Sequence, residues 1–215
     1  RVIKNVAGFD VSRLMVGAMG TLGVILEVSL RVVPCFENEI TLGFEQGKEQ
    51  AHIDWINQLG SKPYPLSASC WYGGLGFIRL SGSHQGVASA ARQLGGDQAP
   101  EPWSLLLEQK HEFFAGQTAI CRISVPPSCA AFLSKRKQLI EWGGAQRWIR
   151  SEGDVPALRE QIEKLSGILC VFRGADAGTS VFHPLKEPLL KLHRSLKSSF
   201  DPAGILNPGR LYPGL

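Results

Sequence analysis

An α+β fold built around an antiparallel sheet is what the sequence predicts. Two observations carry the prediction. Short runs of alternating apolar residues are separated by stretches of helical spacing, in the order strand–helix–strand–strand–helix, twice over. The turn pairs Gly73-Gly74 and Gly143-Gly144 lie 70 positions apart, and the helix caps read at His84 and Asp154 keep that offset. Each copy reads as a ferredoxin-like unit, and the two are expected to share one sheet with helices on one face. Hydrophobic residues make up 44% of the 215 positions, which allows a sizeable core.

The elements follow in order. Asp10 and Ser12 are N-cap residues for a short helix carrying Leu14, Met15 and Val16, stopped by Gly17. Residues 24–33 alternate, with Val24, Leu26, Val28, Leu30 and Val32 on one face, and predict a strand that Pro34 ends. A strand over 40–45 and a helix over 46–59 lead to a Pro63/Pro65 loop. Residues 67–72 and 77–80 then form a hairpin around Gly73-Gly74, and a helix bearing Val87, Ala91 and Leu94 closes at Gly95-Gly96. Residues 103–114 read as a helical link. The second copy comprises a strand over 119–125, a helix around 129–136 after Pro126-Pro127, strands on either side of Gly143-Gly144, a helix bearing Val155, Leu158, Ile162 and Leu165, and a strand over 168–172. In the tail, Pro188 opens a helix with Leu189, Leu192, Leu196 and Phe200 as its apolar stripe and Lys191, Arg194 and Lys197 on a solvated face.

Composition excludes several classes. A net charge of +4 without a basic run argues against nucleic acid. Cys35, Cys70, Cys121, Cys129 and Cys170 are scattered, form no CxxC pair and read as reduced, mostly core residues of an intracellular protein. No stretch approaches the roughly 18–20 apolar residues of a membrane helix. The start, Arg1-Val2-Ile3-Lys4, has neither an initiator Met nor an apolar leader, and the chain is expected to begin inside a longer protein.

The strongest chemical signal is the glycine strip at 17–25, Gly-Ala-Met-Gly-Thr-Leu-Gly-Val-Ile. Glycines at 17, 20 and 23 let main chain approach a bulky anionic ligand, and the amides of such a loop can donate to phosphate or flavin oxygens. A glycine-rich turn entering a strand would show the same spacing. In the tail, Asn207 can offer donors and an acceptor to a polar ring edge, or simply form an Asn-Pro turn.

The segment Lys4-Asn5-Val6-Ala7-Gly8-Phe9-Asp10 running into the glycine strip, and Asp201-Pro202 running to Asn207-Pro208-Gly209-Arg210, together resemble the FAD-linked oxidases of the vanillyl-alcohol-oxidase type, which carry a PCMH-type FAD-binding lobe. Within them the chain is most similar to the E subunits of bacterial glycolate oxidases, and residues 182–185 through 211–213 share that likeness. The resemblance implies three parts: residues 1–36 as the C-terminal remnant of the FAD-binding domain, 37–181 as the cap domain, and 182–215 as a helix and tail returning to the FAD site. It implies FAD held by Gly8, Met19, Gly20, Thr21, Leu22, Gly23, Val24, Ile25 and Asn207, mainly through backbone groups. The other pyrophosphate loop of such proteins lies in a lobe that would precede Arg1, so this stretch is expected to bind FAD weakly or not at all.

The implied function is flavin electron transfer in the oxidation of glycolate to glyoxylate, as one subunit of a complex with a catalytic flavoprotein D subunit and an iron–sulfur F subunit. The implied location is the cytoplasm, or the periphery of the inner membrane through these partners. The alternatives are a non-catalytic assembly subunit and a self-sufficient D-lactate-type flavin dehydrogenase. Catalytic relatives carry a histidine-rich metal motif, and many place Arg and Thr where this chain has Ile3 and Ala7. None of His52, His84, His111, His183 and His193 forms an HxH or HxxGDGN pattern, so no metal site and no catalytic base is predicted.

Overall fold

The two glycine pairs close two hairpins, and these hairpins form the middle of one antiparallel sheet. A computed structural model describes residues 10–175 and 178–215. They divide into one unit formed by the residues up to Val32 with those from Gly178 onward, and a second starting at Val33.

The second unit holds the sheet. Its elements are β1 (Asn38–Glu45), α2 (Glu49–Gly60), β2 (Leu66–Tyr72), β3 (Leu75–Gly82), α3 (His84–Leu94), β4 (Asp97–Gln98), α4 (Trp103–Leu107), β5 (Ile120–Ser124), β6 (Gln138–Glu141), β7 (Gln146–Arg150), α5 (Val155–Lys164) and β8 (Ile168–Arg173), with α1 (Val11–Met15) before them in the first unit. The strand order is β4-β1-β3-β2-β6-β7-β5-β8, every neighbour antiparallel. In each half, the strands thus lie fourth, first, third, second. The halves join where Cys70, Trp71 and Tyr72 of β2 face Glu141, Ile140 and Leu139 of β6.

The period-2 alternation of the strands sorts side chains to two faces. One receives α2 and α3, where Leu42, Ile56, Leu59, Ile78, Leu80 and Val87 pack. It also receives α5, whose Val155, Leu158 and Ile162 meet Cys121, Ile123, Ile149 and Leu169. The opposite face is covered in part by α4 and a 3₁₀ turn at Glu112–Phe114, through Leu106, Phe113 and Phe114 against Cys70, Leu139 and Trp148.

The structure corrects several expected elements. Residues 24–33 form no strand, and Leu26, Leu30 and Val32 are 93%, 82% and 83% exposed. Alternation supplies a face, but a strand exists only through a ladder partner, and none lies alongside among the described residues. The helix expected around 129–136 is absent because its backbone groups are engaged elsewhere. The carbonyls of Cys129 and Ala130 accept from Arg147, that of Phe132 from Gln138, and the Ala131 amide donates to Gln50. The link over 103–114 is two pieces, broken where Gln109 turns left-handed (φ 53°) and the Lys110 amide closes onto Leu105 at 2.7 Å.

Helix α2 begins at Glu49, because Gln46 and Gly47 donate to the Gly74 carbonyl. The cap of α3 is Ser83, not His84: its hydroxyl accepts from the Gly86 amide at 3.2 Å. Asp154 sits at the N-cap of α5, but its carboxylate bonds Arg136 rather than the helix. Burial raises the Asp154 pKa, but the Arg136 hydrogen bond, the backbone amide hydrogen bonds and the Arg136 charge together outweigh it, so the net shift is downward.

Candidate functional site

The first unit is built on α1, the glycine strip and α6 (Glu187–Phe200), followed by the tail. The Asp10 carboxylate caps α1 by accepting from the Arg13 amide at 3.1 Å. The chain then winds through Gly17 and Met19 to Gly20, with φ of 80°, 52° and 75°. Thr21 fixes this turn: its amide and its hydroxyl both donate to the Ala18 carbonyl, at 2.9 and 2.7 Å, and the residue is buried. Beyond Thr21 the main chain bends at Leu22 and then takes no regular secondary structure. Among the described residues, the amides of Leu22, Gly23, Val24 and Ile25 meet no acceptor, and the Val24 and Ile25 side chains are exposed.

The tail comes back to this strip. Asn207, itself left-handed at φ 42°, donates its side-chain amide to the Met19 carbonyl at 2.8 Å. A Cβ on Gly20 would stand 2.8 Å from that same Asn207 nitrogen, so contact at this spacing requires glycine. Gly23 differs. It has no positive φ, and its Cβ would meet only the Met15 methyl, at 3.5 Å. The close approach expected of all three glycines is therefore realised at Gly20. A cavity of about 350 Å³ lies here, lined by Met15, Gly20, Gly23, Ile25, Leu206 and Asn207. A neighbouring one of about 660 Å³ is lined by Met19 and residues 207–210.

Of the residues singled out from sequence, Met19 through Ile25 and Asn207 are thus brought to one place. Gly8, with Ile3 and Ala7, lies outside the described residues.

Two residues of this site were not singled out as ligands. Lys197 was expected on a solvated basic face, but its ammonium points inward, with its side chain 12% exposed. It donates to the Thr21 carbonyl at 2.8 Å, the Leu206 carbonyl at 2.5 Å and the Asp201 carboxylate at 2.7 Å. Asp201, 3% exposed at its side chain, also accepts from the Leu206 and Ile205 amides, at 2.8 and 3.2 Å. The Lys197 hydrogen bond, then the Leu206 amide, hold its carboxyl below the usual range. The i,i+4 Lys–Asp spacing at the end of the apolar stripe was the available signal.

A larger cavity, about 1140 Å³, is elsewhere, within the sheet unit. It lies on the half-covered face and includes Arg79, Trp103, Arg122, Glu141, Gln146 and Trp148 in its lining. Glu141 there accepts from the indole of Trp148 and the amide of Gln146, and Arg122 lies 5.9 Å from the Phe172 ring centre. The glycine strip adjoins a smaller cavity but presents unpaired main-chain donors beside it.

The histidines are dispersed. His52 is fully buried under α2, with no hydrogen-bond partner among the described residues. His111 accepts from the Phe113 amide, and His193 stands edge-on to Tyr212. Among the described residues no group of three or more His, Cys, Asp and Glu side chains is arranged to hold a metal ion, and no helix is long and apolar enough to cross a membrane.

Comparison with known proteins adds the following. Residues 182–211 match the family described as FAD linked oxidases, C-terminal domain. Over all 215 residues the chain is 37% identical to glycolate oxidase subunit GlcE of Escherichia coli (strain K12). It spans 60% of the length of that relative. Over 42 residues, 20% of this chain and 9% of the other, it is 45% identical to glycolate oxidase subunit GlcD of Bacillus subtilis (strain 168).

Proposed function

We propose that the chain belongs to the FAD-linked oxidase family and that the whole protein is the FAD-binding subunit of a glycolate (2-hydroxyacid) oxidase complex. The observation that carries this reading is the meeting of the glycine strip with Asn207. Residues 19–25 and 207, with Gly8 beyond the described residues, hold the cofactor mainly through main chain. The fit rests on the unpaired amides of residues 22–25, the Gly20 contact that excludes a side chain, and the adjoining cavity. When bound, FAD supplies the redox chemistry, and the protein supplies position and electrostatics.

Substrate oxidation is completed with a second flavoprotein subunit and an iron–sulfur subunit. Residues 1–215 alone hold FAD weakly or not at all. The test is the flavin content of the full polypeptide as produced in the cell. About one FAD per chain, without bleaching by glycolate until partner subunits are added, supports the reading. Protein without flavin that still co-purifies with partners contradicts it.

A second reading is favoured by the open sheet face: a non-catalytic assembly subunit that docks a partner over Arg79, Arg122 and Trp103. Charge reversal of Arg122 would then release the partner without changing flavin content.

A further inference from the structure

Lys197 touches both segments assigned to the cofactor. Its ammonium holds the carbonyl of Thr21, in the strip, and that of Leu206, just before Asn207. Every peptide bond among the described residues is trans. In a planar trans peptide the carbonyl of one residue and the amide of the next point in opposite directions. Drawing the Thr21 and Leu206 carbonyls onto Lys197 therefore turns the Leu22 and Asn207 amides away from it. The Asn207 side chain acts likewise on Met19, turning the Gly20 amide outward. None of these three amides has an acceptor among the described residues. Asp201 neutralises the ammonium at 2.7 Å, so the contribution of Lys197 is orientation rather than net charge.

We propose that Lys197 is a positioning residue for the cofactor: it bridges the glycine strip to the tail and presents the Leu22 and Asn207 amides as donors to FAD. This rests on the FAD reading above.

The test compares wild type, Lys197→Met and Lys197→Arg in the full polypeptide. It measures FAD affinity by titration, and the hydrogen exchange of the Leu22 and Asn207 amides with FAD at saturation. In wild type, FAD slows both amides. Lys197→Met raises the FAD Kd by about tenfold or more and abolishes that protection even at saturation, while Lys197→Arg, which keeps the donors, recovers most of the affinity. A Kd within about twofold of wild type in Lys197→Met overturns the proposal, since loss of a charged hydrogen-bond donor costs more than that. So does a raised Kd with both amides still protected, the mark of general loosening. If Lys197→Met does not fold, Lys197→Gln is read in the same way: lost protection supports the role and retained protection overturns it. Wild-type protein that binds no FAD defeats the cofactor reading itself, whereas wild-type binding with an indifferent Lys197 defeats only the positioning role.

Discussion

Asn207 Nδ2 donates to the Met19 carbonyl at 2.8 Å, joining residues 188 positions apart in sequence. Both residues are left-handed, and the glycine beside Met19 leaves no room for a side chain. The contact brings two segments with unpaired main-chain donors to one cavity wall, which is the geometry a backbone clamp requires.

Asn207→Asp therefore sets a carboxylate oxygen against the Met19 carbonyl in place of a donor. Aspartate tolerates the left-handed backbone, so the change falls on the contact. The FAD Kd of the full polypeptide should rise by about tenfold, measured by flavin fluorescence titration. An unchanged Kd would detach Asn207 from the clamp.

The glycines of the strip should not be equivalent. Gly20→Ala meets both a positive φ of 75° and the Asn207 amide, and should cost about 1–3 kcal/mol. Gly23→Ala encounters only an ordinary contact with Met15 and should stay within about 0.5 kcal/mol. Denaturant unfolding of the two variants separates them.

Much of the sheet was legible from local chemistry. Gly73-Gly74 and Gly143-Gly144 mark turns that only permissive residues make readily, and the alternation around them places the four strands they join. What failed depended on partners distant in sequence. The apolar face of residues 24–33 calls for a strand, but no ladder lies beside it among the described residues. Helical spacing at 129–136 lost to Arg147 and Gln138, which claim its carbonyls from the neighbouring strands. The glycine strip and Asn207 were readable as separate motifs. Lys197 looked like one more surface cation, because only the i,i+4 spacing to Asp201 hints at a partner and its other two acceptors are the main-chain carbonyls of Thr21 and Leu206, which side-chain spacing does not reveal.

Arg147 is fully buried, and its guanidinium donates to the carbonyls of Gly144, Ala130 and Cys129 while stacking 4.5 Å from the Phe132 ring centre. Arg147→Met leaves these carbonyls without their donor and should destabilise by about 3 kcal/mol or more. Arg147→Lys should recover little, since a single ammonium does not reproduce the planar fork. Thermal or denaturant melts of the two variants test this.

His52 makes stability depend on pH. Burial lowers its pKa from 6.5 to about 4. The unfolded chain takes up the proton as pH falls through 6.5, while the folded chain resists until about pH 4. Stability is therefore full above pH 6.5 and declines across that window by an amount on the order of 3 kcal/mol. His52→Leu should flatten this slope in denaturation curves recorded from pH 7 to 4, and an equally steep curve in that variant would assign the slope to other groups.

Photolabelling of the full polypeptide with an azido derivative of FAD, followed by peptide mapping, bears most directly on the clamp. The label should fall on peptides containing residues 19–25 or 205–210 and be displaced by excess FAD. Displaceable labelling confined to other peptides would contradict the account.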